Sequence, residues 1–197
     1  MSSFLSGQRA ALRPVESADL VIIHGWLNEP KNTKFMFYGQ LPMSQEQVAT
    51  MIGAQVALPQ NAVFMVTSLE MQGDICGFVG LYGIHLTARS AEFRVFLDHA
   101  VWGKGIGTEV TELLTFFGFD RLNLHRIWLG VTSENKGAVR TYEKAGYTHE
   151  GVLRDDIYRN SRYYDSIRMA ILRGEYYTKF FEAHQKRFTP DFEEPEE

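Results

Sequence analysis

Two hydrophobic periods alternate along the chain. Apolar residues at every second position mark strands, and apolar residues three or four apart mark helices. "ALRPV" reads as a short strand closed by Pro14. A helix follows, with Ser17 as its expected cap and Leu20, Ile23 and Leu27 at helical spacing. An aromatic-rich loop, "NEPKNTKFMFYGQLP", leads to a second helix, which ends near Leu58. Ser44 and Gln47 open that helix with capping-box spacing. "NAVFMVTSLE" and "DICGFVGLYGIHL" are two strands joined by a glycine-containing turn. In "SAEFRVFL" the strand period sets Glu92, Arg94 and Phe96 on one face and Phe93, Val95 and Leu97 on the other.

Behind a glycine-rich stretch, Ile106, Val110, Leu113, Leu114 and Phe117 form one helical stripe. "HRIWLGV" is a strand, and "NKGAVRTYEKAGY" is a helix ended by Gly146. "HEGVLRDDIY" and "RYYDSIRMAIL" are strands around the turn "RNS", and "GEYYTKFFEAHQKRF" is a last helix. The order β-α-α-β-β-β-α-β-α-β-β-α, without repeat or linker, implies one α/β (α+β) domain over residues 1–188. Its sheet is mixed, with helices on both faces. Residues 189–197, "TPDFEEPEE", are expected to be an acidic, disordered tail.

Composition narrows the function. The chain has 197 residues, 45% of them hydrophobic and 22% charged, which suits a soluble globular domain with a real core. A net charge of −4 argues against a nucleic-acid binder. No apolar run approaches the roughly 20 residues of a membrane span, and "MSSFLSGQRA" has no signal-peptide pattern. The single Cys76 excludes an internal disulfide. Together these point to a cytoplasmic location. Oligomeric state is not legible, although a homodimer is the common case. The histidines show no paired metal-ligand spacing, so no metal is expected, and His24 and His125 read as packing or capping residues.

"AVWGKGIGTEV" raises the chemical question. It is not a Walker A loop, because Asp98 and Gly105 stand where glycine and Ser/Thr are needed. It is not a dinucleotide fingerprint, because Thr108 replaces the last glycine. Its glycines would let backbone N–H groups approach an anion at the positive end of the following helix. A tight strand-to-helix turn with no ligand is the plain alternative.

"VWGKGIGTEV" resembles the acyl-CoA pyrophosphate loop of the GNAT superfamily of N-acetyltransferases. That loop runs Arg or Gln, two residues, Gly, one residue, Gly or Ala. Gly105 and Gly107 match, and Trp102 stands in the Arg/Gln place. The aromatic-Trp-Gly-Lys-Gly form resembles the branch acting on ribosomal-protein termini, polyamines and amino sugars. "VTSENKGAVRTYEKAGY" resembles the second CoA motif, with Asn135, Ala138, Tyr142, Gly146 and Tyr147 in place. The resemblance implies a largely antiparallel GNAT sheet and acetyl-CoA as co-substrate. It also implies direct transfer of the acetyl group to a primary amine. On this reading the backbone of Gly103, Lys104, Gly105, Ile106, Gly107 and Thr108, helped by the Lys104 side chain, holds the diphosphate. Asn135 and Ala138 line the cleft, and amides near Phe96 and Leu97 of a bulged strand polarise the acetyl carbonyl.

The chemistry requires a neutral amine, donors for an oxyanion and a proton for the thiolate. Holding amine and thioester together supplies much of the rate without a nucleophilic side chain. Tyr142 is the expected general acid, since a phenol with pKa near 10 keeps its proton at neutral pH. Without the resemblance it reads as a core aromatic. Glu92 is a base acting through water or the ion-pair partner of Arg94. Asp165 is in phase with Ile167, Met169 and Ile171, and is best read as a carboxylate tying the last hairpin. Arg154, Arg159 and Arg162 cluster around that hairpin, either to meet an anionic acceptor or, the commoner case, as a solvated basic turn, and "KFMFY" is either an acceptor wall or a loop anchored by aromatics.

Segments 31–42 and 154–165 carry Lys31, Lys34 and these arginines beside three aspartates, which mildly disfavours a polycation. A protein α-amine or an amino sugar is therefore the expected acceptor. A non-catalytic acyl-CoA sensor or scaffold is the alternative of a different class.

Overall fold

The computed structural model describes residues 3–37, 41–71 and 73–188. Eight strands form one sheet in the order β1-β2-β3-β4-β5-β6-β8-β7. They are β1 (Leu5–Ser6), β2 (Ala10–Pro14), β3 (Ala62–Ser68), β4 (Asp74–His85), β5 (Ser90–Leu97), β6 (Arg126–Thr132), β7 (Thr148–Arg159) and β8 (Arg162–Leu172). Every neighbouring pair is antiparallel except β5 and β6, which are parallel. The helices are α1 (Asp19–Leu27), α2 (Pro30–Thr33), α3 (Gln45–Ala57), α4 (Ile106–Asp120), α5 (Lys136–Lys144), α6 (Arg173–Lys179) and α7 (Phe181–Phe188).

Strand alternation builds two cores, one on each face of the sheet. Met65 and Phe96 point to the face covered by Ile23, Trp26 and Leu27 of α1 and Val48 and Ile52 of α3. Phe64, Val66 and Phe93 point to the opposite face, where α4 lies. The stripe Ile106, Val110, Leu113, Leu114 and Phe117 is buried as predicted. Each such side chain stabilises the fold by roughly 1.5–3 kcal/mol. Phe116 and Phe119 are buried too, because the chain end folds over the outer side of α4 and sets Phe181 and Phe188 against Phe116.

Several local expectations change. Ser17 does not cap α1: its cap residue is Ala18, with no side-chain bond. The Asp19 carboxylate instead accepts from the Glu16 amide and from both terminal nitrogens of Arg13, a buried pair at 2.6 Å. The stretch 28–37, expected as loop, contains the short α2, capped by Glu29. The last helix is two, broken at Phe180, whose ring fills the space a Cβ on Gly146 would need. Gly146 itself ends α5 with φ +92. The Ser44–Gln47 capping box is formed as predicted. The hairpin turn "RNS" places Asn160 and Ser161 at φ 50 and 60, the left-handed pair a tight hairpin requires. The tail 189–197 lies outside the described residues.

Candidate active site

The site begins where the sheet comes apart. β5 pairs with β6 at only three positions, Ser90, Ala91 and Glu92 against Arg126, Ile127 and Trp128. Beyond Glu92 the two strands diverge, while β5 stays in register with β4 as far as Leu97. The Asp98 amide donates to the Cys76 carbonyl. Antiparallel alternation then turns the amides of Phe93, Val95 and Leu97 toward the gap and that of Phe96 toward β4. Of the two amides expected to face an acetyl carbonyl, Leu97 can and Phe96 cannot. The expected bulge is not in this part of β5 either: the register shift lies between Tyr82 and His85 of β4.

At the end of β5 the chain enters the glycine stretch. Gly103 and Gly105 have φ of +76 and +81, where a side chain would be strained. Gly105 is the cap residue of α4 and offers no side chain, so the first amides of the helix point outward without an internal acceptor. A Cβ on Gly107 would lie 3.4 Å from Leu97 and 3.8 Å from Thr141, so this first turn sits between β5 and α5. Trp102 cannot supply the charge of the residue it replaces. Its indole Nε1–H donates instead to the Leu97 carbonyl at 2.9 Å, tying the loop to the strand end.

Tyr142 lies on α5 and is buried beside Phe93 and Tyr147, with ring centroids 6.0 and 6.2 Å away. Burial pushes its phenol above the usual value, so it stays protonated. Tyr147 is different, since its hydroxyl shares a 2.9 Å hydrogen bond with Thr115. Asn135 caps α5 by accepting from the Ala138 amide at 3.1 Å, so its carbonyl oxygen is already engaged. Glu92 meets Arg94 at 2.6 Å, and the guanidinium lies over the Tyr82 ring. Both readings of Glu92 therefore share one geometry. Burial, then Asp98, pushes the Cys76 thiol up to about 12, which leaves it unreactive.

Across the gap, the aromatic stretch is anchored. Phe35 packs near Trp102, Met36 accepts weakly from Arg159, and Phe37 lies 3.5 Å from where a Gly130 Cβ would be. Tyr38 lies outside the described residues. Arg159 is not part of a solvated basic turn: it is buried, paired with Glu134 at 2.7 Å and stacked on Tyr164. Asp165 ties down the β7 bulge by accepting from the Asp155 amide. His24 contacts the Met43 carbonyl at 3.0 Å, a packing role. Among the described residues, no group of three or more His, Cys, Asp or Glu could hold a metal ion. No described helix is long and apolar enough to cross a membrane.

Sequence reasoning missed the group that supports the loop. Glu109, in the first turn of α4, is 2% exposed and accepts from the amides of Gln8, Arg9 and Ala10 and from Arg187. Burial alone would raise its pKa, but Arg187 and the three amides outweigh that and hold it below the ordinary carboxylate range. Gly7 leaves room for it, since a Cβ there would meet the carboxylate at 2.6 Å. A glutamate inside an otherwise apolar helical stripe was the available signal.

An open sheet gap lies beside a glycine-opened helix, and comparison with known proteins assigns the class. Residues 9–148 match the Acetyltransferase (GNAT) domain model, and the chain belongs to that family. It is a GNAT N-acetyltransferase, and with the family comes its co-substrate, acetyl-CoA. Similar proteins include the spermidine N(1)-acetyltransferase of Escherichia coli K12, 30% identical over 87% of this chain and 90% of that one. The Vibrio cholerae spermidine N(1)-acetyltransferase is 32% identical over 84% of this chain and 94% of that one. A crystal structure of spermidine N-acetyltransferase from Vibrio cholerae with CoA and spermine superposes with a TM-score of 0.78. It is 31% identical and covers 85% of this chain and 98% of that one.

Proposed function

We propose that this enzyme acetylates a primary amine of a polyamine, the amine attacking acetyl-CoA directly in the gap between β5 and β6. The observation that carries the reading is that gap, with the open α4 start at its end and the buried Tyr142 ring against Phe93 of its wall. Amides of residues 103–108 hold the diphosphate, with Lys104 adding charge. The Leu97 amide donates to the oxyanion. Tyr142 gives its proton to the leaving thiolate, and Glu92 takes the amine's proton through water. Asn135 and Ala138 shape the cleft wall at the start of α5.

The polyamine acceptor rests on likeness to the spermidine enzymes and on charge. The sequence count of basic residues in 31–42 and 154–165 disfavoured a polycation, but Arg159 of that count is consumed by Glu134. Asp155 and Asp156 lie on the exposed side of the β7 bulge with Arg154, and Asp156 accepts from the Ser166 hydroxyl. An acceptor panel tests the reading by following thiol release from acetyl-CoA. Spermidine and spermine are expected to turn over, while a nucleotide-linked amino sugar and a peptide with a free α-amine stay near background. Release with the peptide or sugar alone would overturn the polyamine acceptor. CoA binding with no release for any amine would favour the sensor.

A further inference from the structure

The GNAT loop pattern places an arginine or glutamine where this chain has Trp102, so the loop lacks one side-chain donor to phosphate. The fold brings a cation to the same loop from the far end of the sequence. Arg9, just before β2, reaches the glycine loop, and its Nη1 donates to the Lys104 carbonyl at 3.2 Å. Its Cδ and Nε lie 3.7 Å from where a Cβ on Gly105 would stand, which puts the side chain alongside the loop.

The position is fixed from below. The Arg9 amide donates to Glu109 Oε2 at 2.6 Å, and Glu109 belongs to the first turn of α4. The helix whose N-terminus faces the anion therefore also holds the backbone of Arg9. Arg9, Lys104 and Lys144 share the wall of an open depression of about 580 Å³ with the glycine loop and with Glu109 and Glu112, both of which Arg187 engages. The side chain is half-exposed and, among the described residues, its carboxylate partner is Glu70, at 2.6 Å on the surface. Exposed ion pairs of that kind are weak and readily exchanged for a phosphate.

We infer that Arg9 supplies the side-chain contact to a phosphate group of CoA that Trp102 removes from the loop. Arg9 is a cofactor-binding residue that the loop motif cannot reveal, because it lies nearly a hundred positions upstream. The inference rests on residues 103–108 being the phosphate cradle. Wild-type protein that fails to bind CoA would overturn both.

Calorimetric titration of CoA and of dephospho-CoA into the full chain decides the matter. R9Q is expected to weaken CoA by about tenfold. E70Q frees Arg9 from its surface partner and is expected to leave the affinity unchanged or raise it. A purely structural Arg9–Glu70 brace predicts the opposite, with both variants weakening CoA alike, and that result would sink the inference. So would an R9Q affinity within about twofold of wild type. An R9Q loss seen with both ligands assigns the contact to the diphosphate; a loss seen with CoA alone assigns it to the 3′-phosphate. Adding W102R to R9Q, which restores the cation within the loop, is expected to recover most of the lost affinity.

Discussion

Two helix starts in this molecule use the same backbone groups in opposite ways. At α3 the donors are closed internally: Ser44 accepts from the Gln47 amide and Gln47 accepts from the Ser44 amide. At α4 the cap is Gly105, and no side chain closes the donors. Its first polar side chain of consequence, Glu109, turns inward to hold the N-terminal segment and Arg187. A closed start is a local stability device. An open one gives up that local stabilisation, leaves its donors without an internal acceptor, and takes its support from elsewhere.

The sharpest way to break this contrast is to remove that support. E109A leaves the amides of Gln8, Arg9 and Ala10 without their acceptor and takes one of two carboxylates from the half-buried Arg187, which keeps Glu112; it is expected to cost about 3 kcal/mol. Chemical denaturation measures it. The pH dependence has a definite sign, because the folded-state pKa of Glu109 is lowered. Its contribution is complete above the unfolded value, about 4.3, and is lost as pH falls through the folded value. The stability gap between wild type and E109Q should therefore be constant near neutrality and shrink in acid.

A smaller effect separates grip from chemistry. Y142F removes one proton and leaves both helix starts alone. Turnover is expected to fall by roughly tenfold or more, with CoA affinity unchanged in a titration. Unchanged turnover would take the acid role away from Tyr142. The smallest effect belongs to the closed start: S44A should cost about 1 kcal/mol of stability and leave CoA binding untouched. If S44A weakened CoA, the two starts would not be independent.

The contrast also explains what could be read in advance. Ser44, Gln47, Gly103, Gly105 and Gly146 act through local backbone geometry, and local geometry is written in short sequence windows. The α4 stripe was equally legible, since burial on one side leaves a helical period. Glu109, Arg9 and Arg159 were not, because their partners lie tens of residues away and nothing local marks the pairing. Ser17 misled for a related reason: Arg13 and Asp19 form a buried tertiary pair that overrides the local capping preference. The break at Phe180 reflects packing against Gly146 and carries no proline or glycine signal. The loss of the Phe96 amide as a donor is a matter of strand register, which one sequence does not encode legibly.

The three-position seam between β5 and β6 has a thermodynamic corollary. The amides of Val95 and Leu97 lie beyond the last β5–β6 bridge, so an extended amide-bearing substrate arm would act as a temporary rung there. Loading at a hundred times the dissociation constant would add about 2.7 kcal/mol to the resistance against unfolding. Deuterium uptake along 93–97 should slow on loading more than anywhere else in the sheet, so the enzyme's heat tolerance would track its supply of fuel.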